Sequence, residues 1–291
     1  MKFSLYQQIM LALAVFTVSF SLALNLKISD IKKIFESRSL MLIGCIAQLI
    51  VFPIVTLGFV FLTQPPAAIA LAILFVAACP GGSISNYLTF LSGGHVAYSI
   101  SLTLLNSLIS VATTPFMMLF LANFYPPTRE IMTSIVVSKS QIILTLVILL
   151  LSPLVLGMFV NWKWPIFSKK ILRSTQVLAF VGILGITVVS IKINQQLFDV
   201  KSLIIIKFIF LHNLLGLIVG YLIGRFAGFE LSKKKALSIE VGFQNTTPAI
   251  AVALAFFSGH PLVSFSAGIW AVWQYISGLI LAGSWRLARA R

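Results

Sequence analysis

Apolar residues run along this chain in stretches of twenty or more, broken by short polar gaps. A helix needs about 20 apolar residues to cross the hydrocarbon of a bilayer. Nine such stretches are read here, at about 4–26, 39–62, 67–91, 96–123, 133–160, 171–191, 202–224, 233–257 and 262–285. The separators are polar or rich in Gly and Pro, as at Lys27–Arg38, Gln64-Pro65-Pro66, Tyr125-Pro126-Pro127 and Ser258-Gly259-His260-Pro261. The pattern predicts an all-α integral membrane protein of nine transmembrane helices.

Composition agrees. Of the 291 residues 59% are hydrophobic and 9% charged, against about 25% charged in a soluble domain. A soluble fold of this length has too little interior for that much apolar surface. Cys45 and Cys79 both lie in apolar runs, so they form no disulfide framework and suggest no metal. The first apolar run is too long for the core of a cleavable signal peptide.

Charge adds orientation. The net charge is +15, from 21 basic and 6 acidic residues. Excess Lys and Arg marks cytoplasmic loops, so the balance does not point to nucleic acid. With nine spans, Lys27, Lys32, Lys33 and Arg38 share a side with Lys163, Lys169, Lys170 and Arg173. Arg225, Lys233, Lys234, Lys235, Arg286, Arg289 and Arg291 fall on that side too. The other side receives Lys2, Arg129, Lys139, Lys192, Lys201 and Lys207. The N-terminus is therefore expected outside and the C-terminus in the cytoplasm.

Two spans carry breaks. The third contains Cys79-Pro80-Gly81-Gly82-Ser83-Ile84-Ser85-Asn86, and the eighth Glu240-Val241-Gly242-Phe243-Gln244-Asn245-Thr246-Thr247-Pro248. Pro followed by two glycines is hard to keep helical. Ser83 or Ser85 is expected to cap a new half-helix, and Thr247 followed by Pro248 reads as an N-cap with Pro at the first helical position. One break is an ordinary kink. Two at matched depth, both rich in hydroxyl and amide side chains, indicate irregular backbone that is buried or lines a wet cavity. The breaks are five spans apart, so the broken helices run in opposite directions. That predicts an inverted-topology repeat, with spans 1–4 matching spans 6–9 and span 5 left over, a 4+5 arrangement. A shift of 165 residues places Gln48 on Asn213, His95 on His260 and Ser99 on Ser264.

Glu240 is the one acid near the middle of a span; Asp30, Glu36, Glu130, Asp199 and Glu230 sit in or beside loops. A charge there costs about 2.5–3.5 kcal/mol even on the gentlest insertion scale. No Lys or Arg falls at the same depth, and the neighbours offer only oxygen ligands. That donor set suits Na⁺ or another hard ion; a proton on Glu240 is the rival. The two half-helix N-termini would approach each other at mid-membrane, where their free N–H groups attract anions. A cation site beside an anion site predicts a cation-coupled importer of an organic anion.

The Cys79-Pro80-Gly81-Gly82-Ser83…Asn86 and Glu240-Val241-Gly242-Phe243-Gln244-Asn245 runs resemble the two signature motifs of the bile acid:sodium symporter (BASS) family. The resemblance covers nearly the whole chain, including Trp273…Ile276-Ser277-Gly278. It implies a member with nine helices, lacking the first of the ten-helix bacterial plan. It implies a core domain of crossed, broken helices at about 39–123 and 202–285. A panel domain at about 4–26 and 133–191 would move against it by alternating access. It implies two Na⁺ sites, the first using Ser85, Asn86, Ser99, Thr103 and Glu240. The second would use Gln48, Glu240, Gln244 and the backbone carbonyls of Val241 and Phe243. Ser99 and Thr103 are four apart and share a helix face. The substrate, a small organic anion, would meet Ser83, Asn245 and Thr246 in the crevice between core and panel, with Gln274 as a further contact. The chain departs from the family pattern at Gln274-Tyr275, where many members have His-Asn, and at Asn245-Thr246-Thr247, where Asn-Ser-Gly is usual. Bile acids, steroid sulfates, keto acids and pantoate-like anions all stay open. The expected setting is a bacterial inner membrane, with no protein partner required. No nucleophile or acid–base constellation suggests an enzyme. His95 and His260 read as solvated loop ends and His212 as a packing residue.

Overall fold

The computed structural model describes residues 38–134, 138–193, 200–257 and 260–290, with scattered positions between 13 and 24. Most of the predicted first span, 4–26, lies outside the described residues. So do Lys27, Lys32 and Lys33 of the loop that follows it.

The second span is not one regular helix. It comprises α1 (Arg38–Ile46), a π-helical turn (Ala47–Val51) and α2 (Phe52–Thr63). Pro53 has no N–H for the carbonyl four residues back, and a π turn absorbs that loss without ending the helix. The third span divides into α3 (Ala67–Ala77) and α4 (Ser83–Leu91). The fourth is α5 (Val96–Phe124), whose first turn is capped by His95: its Nδ1 accepts the Tyr98 N–H at 3.1 Å. A short helix, α6 (Pro126–Thr133), occupies the connection that follows, its two prolines at the first positions where no N–H is needed. The next helix, α7 (Lys139–Lys163), therefore starts later than the predicted 133, behind a Ser138–Gln141 capping box. Then come α8 (Pro165–Ile193) and α9 (Val200–Phe226). The eighth span divides into α10 (Leu231–Gly242) and α11 (Thr247–Phe256), and α12 (Pro261–Ala290) closes the chain.

Among the described residues, five stretches are long and apolar enough to cross a membrane: Arg38–Thr63, Val96–Phe124, Ser140–Lys163, Leu203–Phe226 and Pro261–Leu287. Their outward faces carry bare hydrocarbon, such as Leu62, Phe116 and Ile280, which lipid covers and water would not tolerate. The chain is an integral membrane protein. The half-helices α3 and α11 have the opposite character. Ile69–Ala77 and Thr247–Leu254 are buried on every side, as expected for helices apolar all round. They form one core with Phe75, Phe257 and Trp270, the last on α12.

The two breaks meet. Gly81 and Gln244 pair as an antiparallel β-bridge, and the Asn245 N–H donates to the Pro80 carbonyl at 2.7 Å. Backbone groups freed where each helix stops thus satisfy one another, as a buried polar backbone requires. The caps differ from the sequence reading by one residue. Thr246, not Thr247, holds the N-cap of α11, and Pro248 takes the second helical position. The Thr247 N–H is met by Asn245 Oδ1 at 3.3 Å. Gly82, not a serine, caps α4 in extended conformation.

Close approach needs missing side chains. A Cβ on Gly220 of α9 would lie 2.6 Å from the Leu237 carbonyl of α10, so the two backbones touch there as small residues permit. A Cβ on Gly81 would lie 2.5 Å from Glu240 Oε1. Gly81→Ala should therefore destabilise the fold by about 1–3 kcal/mol through overpacking. Gly58→Ala in α2, whose added Cβ meets nothing within 4 Å, should be neutral or mildly stabilising. Thermal unfolding of both variants in detergent checks this contrast.

Candidate functional site

Helix ends concentrate charge at the crossing. The C-termini of α3 and α10 arrive with partial negative charge, and the N-termini of α4 and α11 with partial positive charge. Glu240 lies in the last turn of α10 and is fully buried. A carboxylate at the negative end of its own helix, out of water, is doubly unfavourable unless a positive charge joins it. Among the described residues, no basic side chain lies within ion-pair distance of it; the ion pair found is Lys233–Glu230, at the start of the helix.

Oxygen atoms converge on Glu240. Ser85 Oγ donates to Oε2 at 2.6 Å, and Thr103 Oγ1 stands 2.7 Å from Oε1 and 2.9 Å from Oε2. Asn86 Oδ1 accepts from Ser99 Oγ at 2.8 Å and faces Thr103 Oγ1 at 3.1 Å. Ser85 Oγ is also 2.7 Å from the Gly82 carbonyl and 3.4 Å from Thr103 Oγ1. Ser85, Asn86, Ser99, Thr103 and Glu240 are thus brought together as one cluster. Each hydroxyl holds one proton, fewer than the oxygen–oxygen approaches gathered there. Such a proton-poor oxygen nest suits a hard cation, because every hydroxyl that donates to the carboxylate keeps lone pairs to offer.

The second set is also brought together, but it closes on itself. The π turn swings Gln48 to the crossing, where Nε2 lies 2.6 Å from Gln244 Oε1 and 3.3 Å from the Cys79 carbonyl. Gln244 Nε2 donates to the Val241 carbonyl at 2.6 Å. Gln48 Oε1 is buried with no hydrogen-bond partner among the described residues. Phe243, at the C-cap of α10, sends its N–H back to Ile239 at 2.9 Å. No hydrogen bond links this group to the Glu240 carboxylate.

The expected solute contacts come from both breaks and from α12. Asn245 and Thr246 lie in the second break, half-buried and buried. Ser83 begins α4, but its side chain lies outside the described residues. Gln274 is buried on α12 with Oε1 unpaired, one turn from Gly278, whose added Cβ would strike Leu88 of α4.

Sequence reading gave Asn213 and Thr114 no role at the breaks, and took His212 for a packing residue. Asn213 Nδ2 donates to the Gly242 carbonyl at 2.7 Å, and its Oδ1 accepts from Trp273 Nε1 at 3.3 Å. Thr114 Oγ1 donates to the Ala78 carbonyl at 2.9 Å. His212 accepts the Trp270 Nε1–H on Nδ1 at 3.0 Å, so Nε2 must carry the proton that reaches Thr56 Oγ1, also at 3.0 Å. It is a structural residue, as its position suggested. The shift that aligned Gln48 with Asn213 was the available signal: each places an amide on a carbonyl at the break of the following helix.

Comparisons with known proteins agree with one another. The sequence pattern of the family described as Sodium Bile acid symporter family matches residues 12–200. An uncharacterized sodium-dependent transporter of Bacillus subtilis, YocS, is 30% identical over 271 residues, 92% of this chain and 80% of that protein. The human sodium-dependent organic anion transporter is 27% identical over 295 residues, 99% of this chain and 74% of its own. The probable sodium/metabolite cotransporter BASS1 of Arabidopsis thaliana chloroplasts is 25% identical over 271 residues, covering 91% of this chain but 64% of the plant protein.

Asn213→Leu should leave the Gly242 carbonyl and the Trp273 N–H without partners, costing about 1–3 kcal/mol. Thermal unfolding reads the cost, and a shift in tryptophan emission reports the loss at Trp273.

Proposed function

We propose sodium-coupled uptake of an organic anion by alternating access for this chain, which belongs to the sodium bile acid symporter family. The family and the relatives are named as transporters, not enzymes. The observation that carries the reading is the buried Glu240 carboxylate in a nest of oxygens, with no basic partner among the described residues. Na⁺ supplies the missing charge.

Two ions are proposed. The first binds Ser85, Asn86, Ser99, Thr103 and Glu240. The second binds Gln48, Gln244, Glu240 and the carbonyls of Val241 and Phe243. Binding the second opens a closed amide chain: the unpaired Gln48 Oε1 turns to the ion, and Gln244 Oε1 uses its second lone pair. This ties the two unwound segments to α1–α2 and presents the N-termini of α4 and α11 to the solute. Ion and solute are coupled because both favour that arrangement. The anion sits beside Ser83, Asn245 and Thr246, with Gln274 lining the same crevice. Nine spans, a 4+5 inverted repeat, a core at about 39–123 and 202–285 and a panel at about 4–26 and 133–191 complete the proposal. A bacterial inner membrane is the proposed setting, with the C-terminus in the cytoplasm. The relatives are named for sodium, so a proton on Glu240 is not the favoured driver.

Uptake by proteoliposomes tests this. Labelled bile acid, steroid sulfate, keto acid and pantoate are each offered with an inward Na⁺ gradient, then with an inward proton gradient in choline. At least one anion should accumulate with Na⁺ alone. Glu240→Gln, which keeps the shape and removes the charge, should lower Na⁺-driven uptake at least about tenfold. Accumulation driven by protons without Na⁺, or full Na⁺-driven uptake by the variant, would overturn the proposal.

A further inference from the structure

Along α5 the residues Ser99, Thr103, Asn106, Ser110 and Thr114 follow at spacings of four, three, four and four, so they share one helix face. All are buried, at 0–3% exposure. A buried polar face on a long apolar helix has to be satisfied. Ser99 and Thr103 belong to the Glu240 cluster, and Thr114 holds the Ala78 carbonyl at the first break. Ser110 turns back to its own helix, donating to the Ser107 carbonyl at 2.8 Å. Asn106 is the exception. Its side chain is fully buried, and among the described residues neither Oδ1 nor Nδ2 has a hydrogen-bond partner.

An amide with both ends idle is costly in protein interior and more so at membrane depth. Leu or Ala would fill the position without that cost. Asn106 lies three residues beyond Thr103, about 4.5 Å along the helix axis on the same face. That puts it one hydration shell from a group bonded to Glu240. A cation that still carries water satisfies both ends of such an amide: the carbonyl oxygen faces the ion, and the N–H donates to its water.

We infer that Asn106 is a further cation-handling residue, a station next to the Glu240 cluster where the coupling ion is held together with water. This rests on the reading of Glu240 as a cation site. The polar face of α5 then extends the ion's surroundings from Glu240 past the first break, toward the end of the helix that carries Tyr125 and the two prolines. By the distribution of basic residues that end faces outward, the side from which Na⁺ arrives.

The test is a titration of thermal stability in detergent, with Na⁺ replacing choline at constant ionic strength, on the full chain. Asn106→Leu should raise the half-saturating Na⁺ concentration about tenfold, the value of one lost ligand. Its melting temperature in choline should not fall, because the lost amide had no partner. Asn106→Ser, which keeps a small polar group but withdraws the carbonyl, should show the same shift and serves if the leucine variant does not fold. Ser110→Ala, whose hydroxyl is satisfied within its own helix, should match the wild type. A half-saturating Na⁺ concentration within about twofold of wild type in the folded Asn106 variants would overturn the inference alone. The amide would then hold only a structural water. A wild type that does not respond to Na⁺ would overturn it together with the Glu240 reading.

Discussion

Two helices stop inside the apolar part of this protein, and their loose backbone has to be satisfied without bulk water. That constraint organises the rest. The Pro80 carbonyl takes the Asn245 N–H, and Gly81 bridges to Gln244, so each break is the partner of the other. The surrounding elements serve the same need. Gln48 reaches the Cys79 carbonyl, Thr114 the Ala78 carbonyl and Asn213 the Gly242 carbonyl. Glycines at 81 and 220 let backbone and carboxylate approach to distances that any side chain would prevent. Deleting one of these supports leaves a buried carbonyl or amide idle.

The same crossing sets the electrostatics. Helix termini of both signs converge within one buried region, and Glu240 stands at a negative terminus. Among the described residues, the side chains bonded to its carboxylate are hydroxyls, and protons are in short supply. In the proposed function this arrangement is incomplete until a cation enters. The ion therefore does more than bind: it permits the unwound segments to hold the positions from which a solute is recognised. The amide chain Gln48–Gln244–Val241 is the part most altered by ion entry, since its bonds must rearrange.

Much of this was legible in the sequence for simple reasons. Apolar stretches of membrane length matched the five membrane-length helices among the described residues to within about six residues. Pro80-Gly81-Gly82 and the polar run before Pro248 marked both breaks, because few other residues tolerate them. Glu240 stood out by being the one acid inside a span. Other features were not legible. The π turn at Ala47–Val51 falls inside what reads as one uninterrupted apolar span. Helix α6, in what looked like loop, and the late start of α7, inside the predicted span, are local capping effects. The caps at Gly82 and Thr246 were set one residue off by partners across the crossing, which no local pattern reveals. The α5 polar face was readable from its spacing, but diluted by the apolar residues between its members. That Asn106 alone is idle depends on the packing of other helices.

The central claim is that the helix crossing forms a sodium site, and binding can be measured without knowing the solute. Wild-type protein in detergent would be unfolded thermally in Na⁺, K⁺ and choline salts at equal ionic strength. A ligand bound only by the folded state stabilises by about 2.7 kcal/mol at 100 times its Kd. The account predicts a clear rise in melting temperature in Na⁺ over both K⁺ and choline. Equal stability in all three salts would contradict it.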